Sequence, residues 1–273
     1  MSLQNNKVSA QKIHWQAHQS TNTEMPENTM SAMHYAWELG GIPEIDIRQT
    51  ADGIIIGMHD ATPKRTTTAS ITDQDTPISE LTFAQVQSWD AGIKFSESFR
   101  GEKIPSLEQV LDVLSDYPER EVYLDYKQVD LASLAGVIHK YGVERQVIFC
   151  HRDQDNCRTM KRLAPEIRTM LWIPDTEIDT RFGEVAEAGF DSLDMIQFHL
   201  VDAQEKPEWR YRLQRQFLQN ALEQLSEAGL ELEVLIFHFD QASLFGLLDV
   251  GIRRFAVDEP KVFAAELEHY YNK

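Results

Sequence analysis

The chain has 273 residues with 42% hydrophobic content, enough for one large domain or two small ones with a substantial core. A formal net charge of -18 argues against a nucleic-acid surface, because a phosphate backbone would be repelled along most of the exterior. No run of about 18 apolar residues occurs, so no membrane span is expected, while a small anionic ligand remains compatible if a cleft supplies local positive charge.

The cysteines, Cys150 and Cys157, are too few for a disulfide framework and read as two reduced thiols. With a polar stretch from Met1 to Lys12 and no visible leader, the expected location is cytoplasmic, although a trimmed leader would look the same.

In chain order, residues 13–18 form the first strand candidate. Pro26-Glu27-Asn28-Thr29 then supplies start signals for a helix whose Met30, Met33, Trp37 stripe has core spacing and which ends at Gly40-Gly41. His34 lies on that stripe and reads as a packed or capping residue. Next comes Pro43-Glu44-Ile45-Asp46-Ile47. In an extended strand, Glu44 and Asp46 leave one face and the isoleucines the other. Paired acids usually sit on a solvated strand face. Here the isoleucines predict a covered strand, and two covered carboxylates need a cation or protonation, so a divalent metal is the preferred reading.

Ala51-Asp52-Gly53 is a tight turn, and the apolar run 54–58 ends in His59-Asp60. So short a link excludes a parallel crossover, which predicts an antiparallel return beside the Glu44 strand. Residues 61–105 then form a long, loop-rich connection with one short helix around 83–89, and connections of that length usually carry function.

From residue 106 the pattern is regular. Strands are expected at 121–126, 146–150, 168–173, 191–196, 232–237 and 254–258, alternating with helices at 106–116, 130–141, 153–164, 177–188, 208–228, 240–250 and 260–271. With the strands at 13 and 43, and setting the 54–59 return aside, this makes eight parallel strands and eight helices. The count predicts a single (β/α)8 TIM barrel over 1–273, with a small insertion after the second strand. A doubly wound sheet is the alternative, but no Gly-rich nucleotide fingerprint follows any strand. Active residues of such a barrel lie at the C-terminal ends of its strands. His18, Glu44, Asp46, Asp125, Lys127, His151, Gln197 and His238 all lie along or after predicted strands, and Asp125 and Lys127 share a face, although a simple strand-end ion pair would look alike.

A set of motifs is similar to the glycerophosphodiester phosphodiesterase family. It comprises His18, Met25-Pro26-Glu27-Asn28-Thr29, Glu44-Ile45-Asp46-Ile47, Asp52-Gly53, His59-Asp60, Arg65-Thr66-Thr67, Leu81-Thr82 and Gly101-Glu102-Lys103-Ile104-Pro105-Ser106-Leu107. Asp125-Tyr126-Lys127, Asp249-Val250-Gly251 and Val257-Asp258-Glu259-Pro260 extend it more loosely through the second half. The resemblance implies a TIM barrel and hydrolysis of a small anionic phosphodiester to an alcohol and a phosphomonoester. It also implies catalytic histidines at His18 and His59, a divalent ion, Mg²⁺ or Ca²⁺, on Glu44, Asp46 and Asp125, and phosphate contact by Lys127. The chain departs from the family pattern where Gln19-Ser20 replaces Arg-Gly, where Asp125 stands for a glutamate, and where Leu235-Ile236-Phe237 lacks a tryptophan. Loss of the arginine at Gln19 keeps open a family member that binds but does not cleave a diester, and, because fold does not fix function, a different metal-dependent TIM-barrel enzyme is a further alternative.

Overall fold

The computed structural model describes residues 12–21, 23–204 and 209–272. Eight parallel strands close into a barrel among these residues: β1 (His14–Ala17), β2 (Ile42–Gln49), β4 (Val122–Gln128), β5 (Val147–His151), β6 (Arg168–Ile173), β7 (Met195–Leu200), β8 (Glu231–Ile236) and β9 (Arg254–Val257). Pairing of β1 with both β9 and β2 completes the ring. β3 (Ile55–Gly57) runs antiparallel to β2, with Ile47 opposite Gly57, as the short turn requires.

Helices α1 (Met30–Glu38), α3 (Leu107–Asp116), α4 (Leu131–Tyr141), α5 (Gln154–Leu163), α6 (Ile178–Glu187), α7 (Arg215–Glu227), α8 (Gln241–Val250) and α9 (Pro260–Tyr271) surround the barrel. Local chemistry sets several starts. Thr29 accepts the Ala32 amide at the head of α1, and Ser106 and Gln109 form a reciprocal capping box on α3. The layer between strands and helices is apolar, with Phe149, Phe198, Phe255 and Phe263 fully buried, each worth roughly 1.5–3 kcal/mol of transfer free energy.

Between β3 and α3, the segment carries α2 (Phe83–Ser88) and packs a small core of its own, in which Ile56, Met58, Ile78, Leu81, Val86, Trp89, Ala91 and Ile104 are buried.

The sequence misplaces three elements. β7 begins at Met195 rather than 191, because Phe190 and Ser192 take left-handed backbone angles (φ 57° and 61°) and Asp194 turns its carboxylate back onto the Thr169 amide at 2.7 Å. Gln197 is therefore inside a strand and not after one. β4 runs on to Gln128, so Asp125 and Lys127 lie within it. The helix expected over 208–228 starts at Arg215. Its expected first residue, Glu208, lies outside the described residues, and Tyr211 instead bridges back to Asp202 while Arg210 pairs with the Asp202 carboxylate.

Candidate active site

Period-two alternation decides which side chains enter the barrel. On β2 these are Glu44 and Asp46, each only 1% exposed, while Ile45 and Ile47 face the helices. Asp125 lies across from Asp46 in the parallel register of β2 and β4, and Lys127 follows on the same face. One carboxylate oxygen from each of Glu44, Asp46 and Asp125 lies within 4.8 Å of the others. Lys127 Nζ stands between two of them, 3.0 Å from Asp46 Oδ1 and 2.7 Å from Asp125 Oδ2.

Supporting contacts fix these acids. Asn28 and Asp46 bond reciprocally: the side-chain amide donates to Asp46 Oδ2 and the Asp46 backbone amide to Asn28 Oδ1, both at 2.9 Å. Gly57 is required at this point, because a Cβ there would come within 2.7 Å of Ile45 Cδ1 and 3.1 Å of the Asn28 carbonyl. The Gln19 backbone N–H donates to Glu44 Oε2 at 2.5 Å, from a residue with φ 47°.

Charge at the cluster is unbalanced. Burial and the neighbouring Asp46 and Asp125 push the Glu44 carboxyl well above its ordinary range, against the pull of Lys127 and the Gln19 amide. Asp125 is raised by burial and Asp46, with Lys127 opposing. Burial works against the Lys127 ammonium, but Asp46, Asp125 and Glu44 outweigh it and hold the ammonium charged. Two buried carboxylates and a partly exposed third on one ammonium suit a divalent ion, and an all-oxygen donor set is the kind that Mg²⁺ and Ca²⁺ take.

His18 ends β1, and its Nδ1 lies 2.7 Å from Asp258 Oδ1. Burial disfavours the imidazolium, yet the Asp258 bond with the charges of Asp258, Asp46 and Asp125 raises the ring above its ordinary value. His59 follows β3. Its Nδ1 is 2.7 Å from Asp60 Oδ1, and its carbonyl accepts from Arg48 Nε and Nη2 at 3.0 and 2.8 Å. Asp60 also binds Arg65, whose hydrogen bond pulls this carboxyl down to about 2, and Arg65 in turn binds Glu27 at 2.6 Å.

Glu44, Asp46, Asp125 and Lys127 thus meet in one cluster, with His18 beside it through Gln19. Among the described residues neither His151 nor His238 belongs to the group of clustered ligand atoms: His151 bonds Asn156 and meets the Tyr126 ring edge-on, while Asp125 and Lys127 still act on its ring, and His238 accepts the Tyr211 hydroxyl through its backbone carbonyl. His34 packs edge-on against Trp37, as expected of a packed residue. Sequence reasoning gave no role to Asn28, Asp60 or Asp258, although all three stand in the motifs. Asp258 was recoverable, because an acid just past β9 lies opposite His18 once β1 and β9 pair Ala17 with Val257. Trp172 and His199 were also missed as a pair. They stack with centroids 5.2 Å apart, Trp172 Nε1 lies 3.4 Å from Asp125 Oδ1, and Phe237 meets His199 edge-on, so an aromatic does stand after β8.

A closed parallel barrel with acids and carboxylate-held histidines toward the C-terminal ends of its strands has the architecture of a TIM-barrel enzyme. The profile of the glycerophosphoryl diester phosphodiesterase family matches residues 18–261, and the chain belongs to that family. A glycerophosphodiester phosphodiesterase of Caldanaerobacter subterraneus subsp. tengcongensis is 32% identical over 163 residues, 57% of this chain and 64% of that protein, so the match spans less than two thirds of the relative. The relatives so named are phosphoric diester hydrolases. In fold, the chain is similar to a glycerophosphodiester phosphodiesterase of Agrobacterium tumefaciens (TM-score 0.73, 24% identity, 93% of this chain and 99% of that one). It is equally similar to an Oleispira antarctica phosphodiesterase in complex with the product sn-glycerol-3-phosphate (TM-score 0.75, 21% identity, 93% and 96% covered). Among the described residues, no helix is long and apolar enough to cross a membrane.

Proposed function

We propose that the chain is a divalent-metal-dependent phosphodiesterase that hydrolyses glycerophosphodiesters, or similar small diesters, to an alcohol and a phosphomonoester. The observation that carries this reading is the charge excess of buried Glu44 and Asp46 and half-buried Asp125 over Lys127 at the barrel mouth. Held by these three acids, Mg²⁺ or Ca²⁺ would neutralise and orient an anionic diester that carboxylates alone would repel.

The chain's own residues supply the rest. Asp258 and Asp60 each engage a histidine at Nδ1, which leaves Nε2 of His18 and of His59 as the atoms that handle protons. One takes the proton of the attacking oxygen and the other gives a proton to the departing alcohol oxygen. Lys127 presents positive charge to the phosphate oxygens, and this matters more here because Gln19 offers a neutral amide where the family has a guanidinium. The other basic candidates near the insertion are already engaged, Arg65 by Glu27 and Asp60, and Lys64 by Asp75. The Oleispira enzyme's product, sn-glycerol-3-phosphate, is the phosphomonoester proposed for this chain.

The test is alcohol release from a panel of glycerophosphodiesters with Mg²⁺, with Ca²⁺ and with a chelator. Metal-dependent release is expected. No release from any diester with either ion would overturn the reading in favour of a protein that binds without cleaving.

A further inference from the structure

Below the metal-type cluster, the barrel fixes the tautomer of a histidine that the scheme above does not use. Gln197 lies inside the barrel with its side-chain nitrogen 2.6 Å from Glu233 Oε1 and 3.2 Å from Gln16 Oε1. The other oxygen of Glu233 accepts the Tyr123 hydroxyl at 2.6 Å, and above about pH 7, where Glu233 is ionised, this carboxylate can only accept. Only the amide NH₂ can face two acceptors, and the Gln197 oxygen must therefore point the other way, to His199 Nε2 at 3.0 Å. A carbonyl oxygen has no proton to give. Nε2 of His199 thus carries the hydrogen, and in a neutral ring Nδ1 is left as a bare acceptor.

The ring is held as firmly as its proton. It stacks on Trp172 with 16° between the planes and takes the edge of Phe237 at 6.0 Å. Trp172 reaches Asp125 through Nε1, so this aromatic wall adjoins the carboxylate cluster. Burial first, then the positive charges of His18 and Lys127, push the His199 ring down to about 4, and it stays neutral at ordinary pH. Nδ1 has no hydrogen-bond partner among the described residues and is not one of their buried unpartnered atoms, so it is accessible.

We propose that His199 orients the substrate: its unprotonated Nδ1 accepts a hydrogen bond from the terminal hydroxyl on the polyol arm of the diester, while Gln197 and Glu233 act as positioning residues that hold the tautomer. This rests on the phosphodiesterase reading and names the substrate feature selected. A bare imidazole nitrogen accepts but cannot donate. It rewards a hydroxyl and gives nothing to a methyl group or an ether oxygen, and the flat Trp172 face beside it suits a short carbon chain.

The experiment compares kcat/KM of the whole chain with Mg²⁺ on glycerophosphoethanolamine and on its propane-1,2-diol analogue, which lacks only the terminal glycerol hydroxyl. The intact protein is expected to prefer the glycerol diester by about fivefold to tenfold, the worth of one neutral hydrogen bond. In His199→Phe, which keeps an aromatic ring against Trp172, that ratio is expected to fall toward one. In the unmodified protein, ¹⁵N NMR is expected to show His199 protonated at Nε2 only, whether or not the variant folds. An unchanged ratio in a folded variant, an intact protein that does not discriminate, or a protonated Nδ1 would each overturn the proposal. Hydrolysis of neither diester would remove the phosphodiesterase reading itself, and this proposal with it.

Discussion

Two buried polar clusters share the barrel interior, and they are built on opposite rules. Around Glu233, which is wholly buried, both carboxylate oxygens have donors, from Tyr123 and Gln197, and Arg254 Nη1 approaches the Tyr123 hydroxyl at 3.4 Å. Arg254 Nε lies 2.8 Å from Glu231 Oε2, a charge contact without the alignment of a hydrogen bond. Around Glu44, three carboxylates share the single ammonium of Lys127. A satisfied buried network holds the strands of the fold together. An uncompensated one is costly to the fold, and its natural complement is a cation that the chain does not carry.

The contrast makes its largest claim on catalysis. His18→Ala and His59→Ala are expected to lower the rate of diester hydrolysis by roughly a hundredfold to ten-thousandfold while the thermal melt stays close to that of the unaltered protein. Steady-state kinetics alongside melting curves decide it, and a variant that keeps full activity loses its place in the scheme.

Next in size is the counter-ion. Lys127→Met takes away the ammonium between Asp46 and Asp125, and without divalent metal it is expected to cost about 3 kcal/mol or more in urea unfolding. Millimolar Mg²⁺ or Ca²⁺ should restore much of the loss by binding the native state. If the variant were as stable as the parent in chelator, the mouth would not be short of positive charge.

The satisfied cluster has its own signature in pH. Burial pushes Glu233 up to about 7, against the pull of Tyr123, Arg254 and Gln197. Because the folded value exceeds the ordinary one near 4.5, the native state holds this proton more tightly. The stability it contributes is complete below pH ~4.5 and is lost as pH rises through ~7, a change on the order of 3 kcal/mol. Glu233→Gln should flatten that part of the profile. Parallel profiles for the two proteins over pH 4.5 to 7.5 would show that Glu233 titrates normally, its donors then offsetting the whole cost of burial, which would sharpen the contrast.

The smallest effect concerns Gln19. Gln19→Arg adds a guanidinium beside Glu44 and is expected to lower KM for a simple glycerophosphodiester by up to about tenfold. A KM that does not move would mean the phosphate lies beyond reach of residue 19.

Much of the fold was legible because its signals are local. Alternating Ile45 and Ile47 announce a covered strand with acids on the other face, and five residues of turn force β3 to run back along β2. Glu44 and Asp46 share a face for the same reason, since period two places them there before any partner is known, whereas Asp125 joins them in the sequence only through the family resemblance. What escaped depends on neighbours distant in the chain. Asp258 matters through a residue 240 positions away, and His199, visible in the sequence as a ring donor at a strand end, takes its setting from a stacked Trp172 and from Gln197, which the sequence puts outside its strand. The shift of β7 shows the mechanism of such an error: Phe190 and Leu193 look like strand residues, but the left-handed backbone at Phe190 and Ser192 bends that segment into a turn.

The hairpin that carries His59 also determines how the insertion is attached. The Gly57 amide donates to the Pro105 carbonyl at 3.0 Å, and Ile56 bridges Ser106, so the segment from 61 to 105 leaves and re-enters the barrel at one doorway. Its hydrophobic residues pack as a separate small cluster. Closing a longer loop over the same doorway adds only about 0.6 kcal/mol for each doubling of length. The piece is nevertheless tied to the hairpin by more than its two ends, since its small core takes in Ile56 and Met58 and its Arg65 holds Asp60 beside His59, so replacing it would reach the histidine itself.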